Sequence, residues 1–187
     1  MSGMLVVISG PSGVGKNTVV EKLHQAMPER YVYSVSATTR DPRGDEKDGV
    51  EYFFLNDGEF LHWISKDLFL EWAEYNDEFY GTPKHHVMEM IYEGKIVLAE
   101  IDVKGAMQIM QTDLKKLCIF LMPPDQEELL NRLTNRGTDA EEEIEKRLEI
   151  AKWEMSQAVK FDEIVVNDDL DATVAEIQDL INIRLKP

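Results

Sequence analysis

The sequence predicts an α/β fold: a parallel sheet flanked by helices, with an inserted mixed α/β lobe. Three observations carry this. The runs 4–8, 117–122 and 164–166 are continuously apolar rather than alternating, and 96–101 is so apart from Glu100, as strands buried on both faces are. Helical stretches separate them, which implies a sheet covered on both sides. The segment from about Ser34 to Gly94 breaks that rhythm with short alternating strands and a polar loop. The 187 residues are enough for one domain with a real core. Its expected parts are a core over about 1–34, 95–130 and 158–187 and a lobe over about 35–94.

Met4 to Ile8 reads as the first buried strand, broken by Ser9-Gly10-Pro11-Ser12-Gly13. A helix is expected over 16–27, with Val19, Val20 and Leu23 on one face and Pro28 after it. Tyr31 to Ser36 alternates like one strand, and 37–49, rich in Arg, Asp and Gly, reads as a loop. Strands are expected over 51–55 and 68–75, with a short helix between them marked by Phe60, Leu61 and Ile64. After Gly81-Thr82-Pro83, a helix over 85–92 ends at Gly94 in the position after its cap. Strand 96–101 leads to Asp102, a helix covers 105–111, and strand 117–122 closes at Pro123-Pro124. Asp125 is placed to cap a helix through Leu133. Beyond the polar break 135–140 come a long charged helix over 141–159, strand 164–166 and an amphipathic helix over 172–185.

The net charge of −16 excludes long nucleic acid and anionic membrane as partners, because a polyanion would be repelled. It leaves room for a small anionic ligand wherever a few Arg and Lys gather. No apolar run approaches the ~18 residues of a membrane span. Met-Ser-Gly-Met-Leu has neither a basic n-region nor a cleavage pattern, so a cytoplasmic location is expected. The single cysteine, Cys118, lies in an apolar run and reads as an inert buried thiol. His24, His62, His85 and His86 have no metal-ligand spacing, and Trp63, Trp72 and Trp153 read as packing residues.

Gly10-Pro11-Ser12-Gly13-Val14-Gly15-Lys16 stands between a buried strand and a helix, the context of a P-loop. Glycines let the backbone turn and aim its N–H groups at an anion, and the helix start adds its positive end. Lys16 can reach the outer phosphates of a triphosphate. A strict P-loop carries Ser or Thr next, where the hydroxyl meets Mg²⁺. Here Asn17 stands there and Thr18 follows. Asn17 could offer its carbonyl oxygen or act through water, and Thr18 could bring a hydroxyl near the phosphates. The strand KIVLAEID ends in Glu100 and Asp102, carboxylates able to hold Mg²⁺ through water. Arg40 and Arg43 share a polar loop with Glu46, which can orient one of them, and Tyr52 can add a phenolic donor. Together they make a clamp for a doubly charged phosphate monoester.

The pieces GPSGVGK, SVSATTRDPRGDEKDGVEYFF, LEWAEYNDEFYGTP, VLAEIDVKGA, IFLMPP, NRLTNRGTDAEEEIEKRL and IVVND resemble guanylate kinases in order and spacing over essentially the whole chain. The resemblance implies a P-loop NTPase fold with a GMP-binding lobe and a small helical lid over about 131–157. It implies Mg²⁺-dependent transfer of the ATP γ-phosphate to GMP, and to dGMP, by a monomer or homodimer. By the same resemblance Ser36, Glu71 and Thr82 read guanine, and Arg40, Arg43, Tyr52 and Tyr80 hold the GMP phosphate. Glu46 supports the arginines, and Glu100 stands near metal and GMP. Arg136 and Arg147 are lid arginines over the transferring phosphate, while Arg132 and Asn167 fall on the ATP base and ribose side. Thr18, Glu100 and Asp102 are the expected metal-side residues. Guanine's N1–H and N2 amino donors suit an ionised carboxylate, so Glu71 fits that role chemically. Two other readings share the motifs: a kinase for another phosphate acceptor such as a ribose phosphate, and a non-enzymatic module binding phosphopeptides at the Arg and Tyr clamp.

Overall fold

The computed structural model describes residues 3–75, 77–125, 127–130 and 141–186. Nine strands are present among these: β1 Met4–Ser9, β2 Tyr31–Tyr33, β3 Ser36–Thr38, β4 Tyr52–Phe54, β5 Phe69–Tyr75, β6 Glu78–Pro83, β7 Ile96–Glu100, β8 Lys116–Met122 and β9 Glu163–Val166. The helices are α1 Lys16–Ala26, α2 Asp57–Ser65, α3 Lys84–Tyr92, α4 Val103–Met110, α5 Glu141–Ser156 and α6 Leu170–Leu185. A single 3₁₀ turn, Ala158–Lys160, follows α5.

Five strands form an all-parallel sheet in the order β2-β7-β1-β8-β9. β1 lies in its middle and is buried at every position, which is why its run is apolar without alternation. One face packs Val6 and Ile8 with Val19, Val20 and Leu23 of α1 and Ile177 and Ile181 of α6. The other packs Leu5, Val7 and Phe120 with Val87 of α3 and Val103, Ala106 and Ile109 of α4. Cys118 is buried there, and that burial pushes its thiol up to about 12, so it is inert. The second sheet, β4-β3-β6-β5, is mixed: β3 and β4 are parallel, while β6 runs antiparallel to β3 and β5. Its own small core stacks Phe60 of α2 on Phe69 and Phe79.

The structure departs from the sequence reading at three places. Tyr31–Ser36 is two strands in two sheets, because Ser34 and Val35 carry the chain from the edge of one to an inner strand of the other. Residues 37 and 38, expected in a loop, belong to β3. β6 was not among the expected strands: Gly81 pairs with Ala37 and Trp72, and a Cβ there would meet the Phe69 ring at 2.8 Å. Gly81 thus marks close packing rather than a bend. α3, the last helix of the segment expected as a lobe, packs on β7 and β1. The expected helix start at Asp125 is present: its carboxylate accepts from the Glu128 N–H at 2.7 Å. Residues 131–140, with the expected polar break, lie outside the described residues.

Candidate active site

β1 ends at Ser9, the loop Gly10–Gly15 follows, and α1 starts at Lys16. Gly15 caps α1 in the left-handed region at φ 95°, and a Cβ there would stand 2.7 Å from the Asn167 side-chain nitrogen. Only glycine fits both demands. Asn167, buried just after β9, donates from Nδ2 to the Val14 carbonyl at 2.7 Å and ties the loop to the sheet. Lys16 Nζ donates to the carbonyls of Gly10 at 2.9 Å and Pro11 at 3.2 Å, which holds the ammonium across the loop. No acid sits in the first turn of α1, so its positive end faces the loop undiminished by an acid in that turn. Asn17 and Thr18 are exposed on that turn, and Asn17 Nδ2 donates to Glu21 Oε1 at 2.9 Å.

A cleft of about 830 Å³ joins this loop to the second sheet, with Lys16 and Asn17 on one side and Ser36, Tyr52 and Glu46 on the other. Arg40, buried at the lobe wall, forms a fork on Glu46: NH1 to Oε2 at 2.7 Å and NH2 to Oε1 at 2.8 Å. NH1 also donates to the Asp41 carbonyl at 2.9 Å. Three of the five guanidinium N–H groups are used in these bonds, which leaves two to point at an anion. The guanidinium lies 4.8 Å from the Tyr52 ring centre and 5.8 Å from that of Phe54. The Arg40 bonds, then the Arg43 backbone N–H, hold the Glu46 carboxyl down to about 2. Arg43 contributes its backbone to Glu46, and its side chain is exposed. Tyr80 of β6 meets Tyr52 edge-on at 6.3 Å.

Glu71 of β5 and Thr82 of β6 are buried neighbours paired across the antiparallel ladder. The Thr82 hydroxyl donates to Glu71 Oε1 at 2.6 Å. Glu71 Oε2 lies against Gly105 of α4, where a Cβ would come within 2.6 Å of it. Burial pushes the Glu71 carboxyl up to about 7; Thr82 opposes that shift and the Asp102 charge adds to it. Beside it, the Gln108 amide of α4 accepts from the Trp72 N–H at 3.2 Å and donates to the Trp72 carbonyl at 2.9 Å. The sequence reading missed Gln108.

Glu100 ends β7, which pairs with β1, and Asp102 follows; both are exposed at the cleft. Asp102 Oδ1 accepts from the Gly105 N–H at 2.7 Å and caps α4. Among the described residues no three acids, histidines or cysteines cluster as a metal cage. Two exposed carboxylates beside a phosphate-binding loop suit Mg²⁺, which takes one or two carboxylates and completes its shell with water and phosphate oxygens. Arg147 of α5 reaches the loop, donating from NH2 to Ser12 Oγ at 3.0 Å. Glu154, on the same helix, is buried, and its Oε2 has no hydrogen-bond partner among the described residues. The sequence reading assigned Glu154 no part. Its spacing of seven from Arg147, which sets both on one helix face, was the available signal. Arg132 and Arg136 lie outside the described residues.

Residues 2–184 match the family model described as guanylate kinase. The chain belongs to the guanylate kinase family. It is 49% identical over 181 residues to a guanylate kinase of Synechocystis sp., covering 97% of this chain and 94% of that protein. It is 50% identical over 177 residues to one of Prochlorococcus marinus, covering 95% and 96%. The crystal structure of guanylate kinase from Anaplasma phagocytophilum superposes with a TM-score of 0.73 at 31% identity, covering 99% of this chain and 88% of that one. The family's P-loop NTPase fold is the parallel sheet with β1 and its glycine loop at the centre.

Proposed function

We propose that the chain is an ATP:GMP phosphotransferase that moves the γ-phosphoryl group of ATP to GMP and releases ADP and GDP. The observation that carries this is one cleft with Lys16 on one side and, on the other, Glu46 and Tyr52, which hold the buried Arg40 guanidinium behind the wall. The glycine-loop amides and Lys16 hold the triphosphate, with Asn167 fixing the loop. Arg40, Arg43, Tyr52 and Tyr80 hold the GMP phosphate, and Glu46 keeps Arg40 aimed. Glu71, ionised, accepts both guanine donors and keeps the Thr82 hydroxyl bond on its Oε1, while Ser36 donates to O6.

The attacking phosphate oxygen is largely ionised at neutral pH, so no general base is needed. Catalysis is positioning and charge neutralisation. Lys16, Arg136 and Arg147 offset charge on the transferring group. Glu100 and Asp102, with Thr18 nearby, would hold Mg²⁺ through water, and the ion would supply further neutralisation of the phosphate oxygens. The buried Glu71–Thr82 pair favours a guanine acceptor over a ribose phosphate. Adenine would leave Glu71 without its partners, which supports discrimination of about 10⁴-fold.

The test is ADP release with ATP and Mg²⁺ across GMP, dGMP, AMP, UMP and ribose 1,5-bisphosphate. GMP and dGMP should turn over, and AMP should trail GMP by about 10⁴ in kcat/KM. No ADP with GMP overturns the proposal and leaves a binding module.

A further inference from the structure

Gly105 stands in the first turn of α4, after the Asp102 cap, and is buried. Its φ lies outside the left-handed region, so the backbone there does not require glycine. Alanine is the best helix former and glycine among the poorest, so a glycine inside a helix needs a reason in packing. The reason is close approach. A Cβ on Gly105 would stand 2.5 Å from Ile101 Cγ2, 2.6 Å from Glu71 Oε2 and 3.1 Å from Glu71 Cδ, nearer than non-bonded atoms rest. Ile101 lines the cleft and has room to turn into it. Glu71 has no such room: it is buried, and the Thr82 hydroxyl holds its Oε1 at 2.6 Å. Nor can α4 stand off. Its start is tied by the Gly105 N–H to Asp102 Oδ1 at 2.7 Å. About one turn on, Gln108 bonds both backbone groups of Trp72, the residue after Glu71.

We propose that Gly105 is a positioning residue for specificity, acting by its lack of a side chain: the bare backbone of α4 is the stop against which the Glu71 carboxylate is seated. The proposal rests on Glu71 reading guanine, as in the function above. Thr82 fixes one oxygen and Gly105 bounds the other, so both are placed at once. A carboxylate that accepts two adjacent donors must present its oxygens together, and a displacement of about 0.5 Å already spoils such a fit. A methyl group on Gly105 would force a displacement of that order, because strand and helix are tied together on either side of the contact.

Gly105→Ala adds one methyl group and nothing polar. GMP and a non-hydrolysable ATP analogue are titrated by calorimetry into the wild type, Gly105→Ala, Glu71→Ala and the double variant. The melting temperature of each ligand-free protein is measured alongside. Gly105→Ala should weaken GMP by about tenfold to 100-fold, the worth of one or two bonds to a charged acceptor, and leave the ATP analogue within about twofold. In the Glu71→Ala background the same methyl group has no carboxylate to displace, so GMP should weaken by less than about twofold further. The melting temperature should fall more on Gly105→Ala in the wild type than in that background. Unchanged GMP affinity in Gly105→Ala, equal loss for the two ligands, or a GMP loss of the same size in both backgrounds overturns the proposal. These titrations need no turnover, so absence of ADP formation by the wild type would sink the kinase reading alone. A wild type that bound GMP no better than AMP would sink guanine reading, and the role of Gly105 with it.

Discussion

Burial holds Glu71 neutral up to about pH 7, whereas guanine's two donors need it ionised. This conflict has a measurable sign. The folded carboxyl titrates above its unfolded value of 4.5, so the folded state binds more protons between those pH values. Stability of the ligand-free protein therefore falls as pH rises through about 4.5 to 7, by on the order of 3 kcal/mol. Glu71→Gln should remove that slope and raise the melting temperature at pH 8, while its preference for GMP over AMP collapses. A mutant no more stable than wild type at pH 8 would deny the buried charge, and an unchanged preference would deny guanine reading. GMP binding should also release a proton, because the bound form is the carboxylate. Calorimetry in buffers of different ionisation heat should find that the wild type releases more protons than Glu71→Gln, the difference rising towards one below pH 7. Taking the difference cancels the titration of the GMP phosphate itself.

Glu71 is only as well placed as β5, and β5 is an edge strand. Its outward Trp72 backbone groups would otherwise face solvent, but Gln108 of α4 pairs with both, as a neighbouring strand would. α4 is capped by Asp102 and packed on β1, so this amide references the guanine wall to the core sheet. Gln108→Ala should raise KM for GMP about threefold to tenfold and leave KM for ATP alone, the range expected for one or two exposed neutral bonds. Exchange of the Trp72 amide hydrogen should quicken; an unchanged rate would mean the pair is not formed in solution. Such a contact was not legible in the sequence, because an exposed glutamine on an amphipathic helix looks like any solvated residue. Glu154 was hidden for the same reason: a charged helix does not announce which acid the tertiary packing covers. The loop from Gly10 to Lys16 was legible because glycine spacing, lysine and flanking apolar run are all local. β6 was not, because Gly81 and Pro83 carry turn chemistry that close packing against Phe69 overrides.

At the scale of the molecule, an acidic chain of net charge −16 must bind two anionic nucleotides in one cleft. It does so by setting its few useful cations at the cleft walls, Lys16 on the core side and Arg40 on the lobe side, each held by its own local bonds. Separate anchoring predicts separable ligand effects on unfolding. A ligand at about 100 times its Kd adds ~2.7 kcal/mol to the folded state. For a chain of this size that shifts the melting temperature by roughly 5–10 °C. GMP and a non-hydrolysable ATP analogue should each give such a shift in the wild type. Lys16→Ala should lose most of the ATP-analogue shift, keep the GMP shift, and lower kcat by about 100-fold or more through loss of a charge aimed at the transferring group. Thermal shift with each ligand alone checks this without any turnover. Loss of both shifts in Lys16→Ala would mean that the walls do not act separately, and that one cation organises the whole cleft.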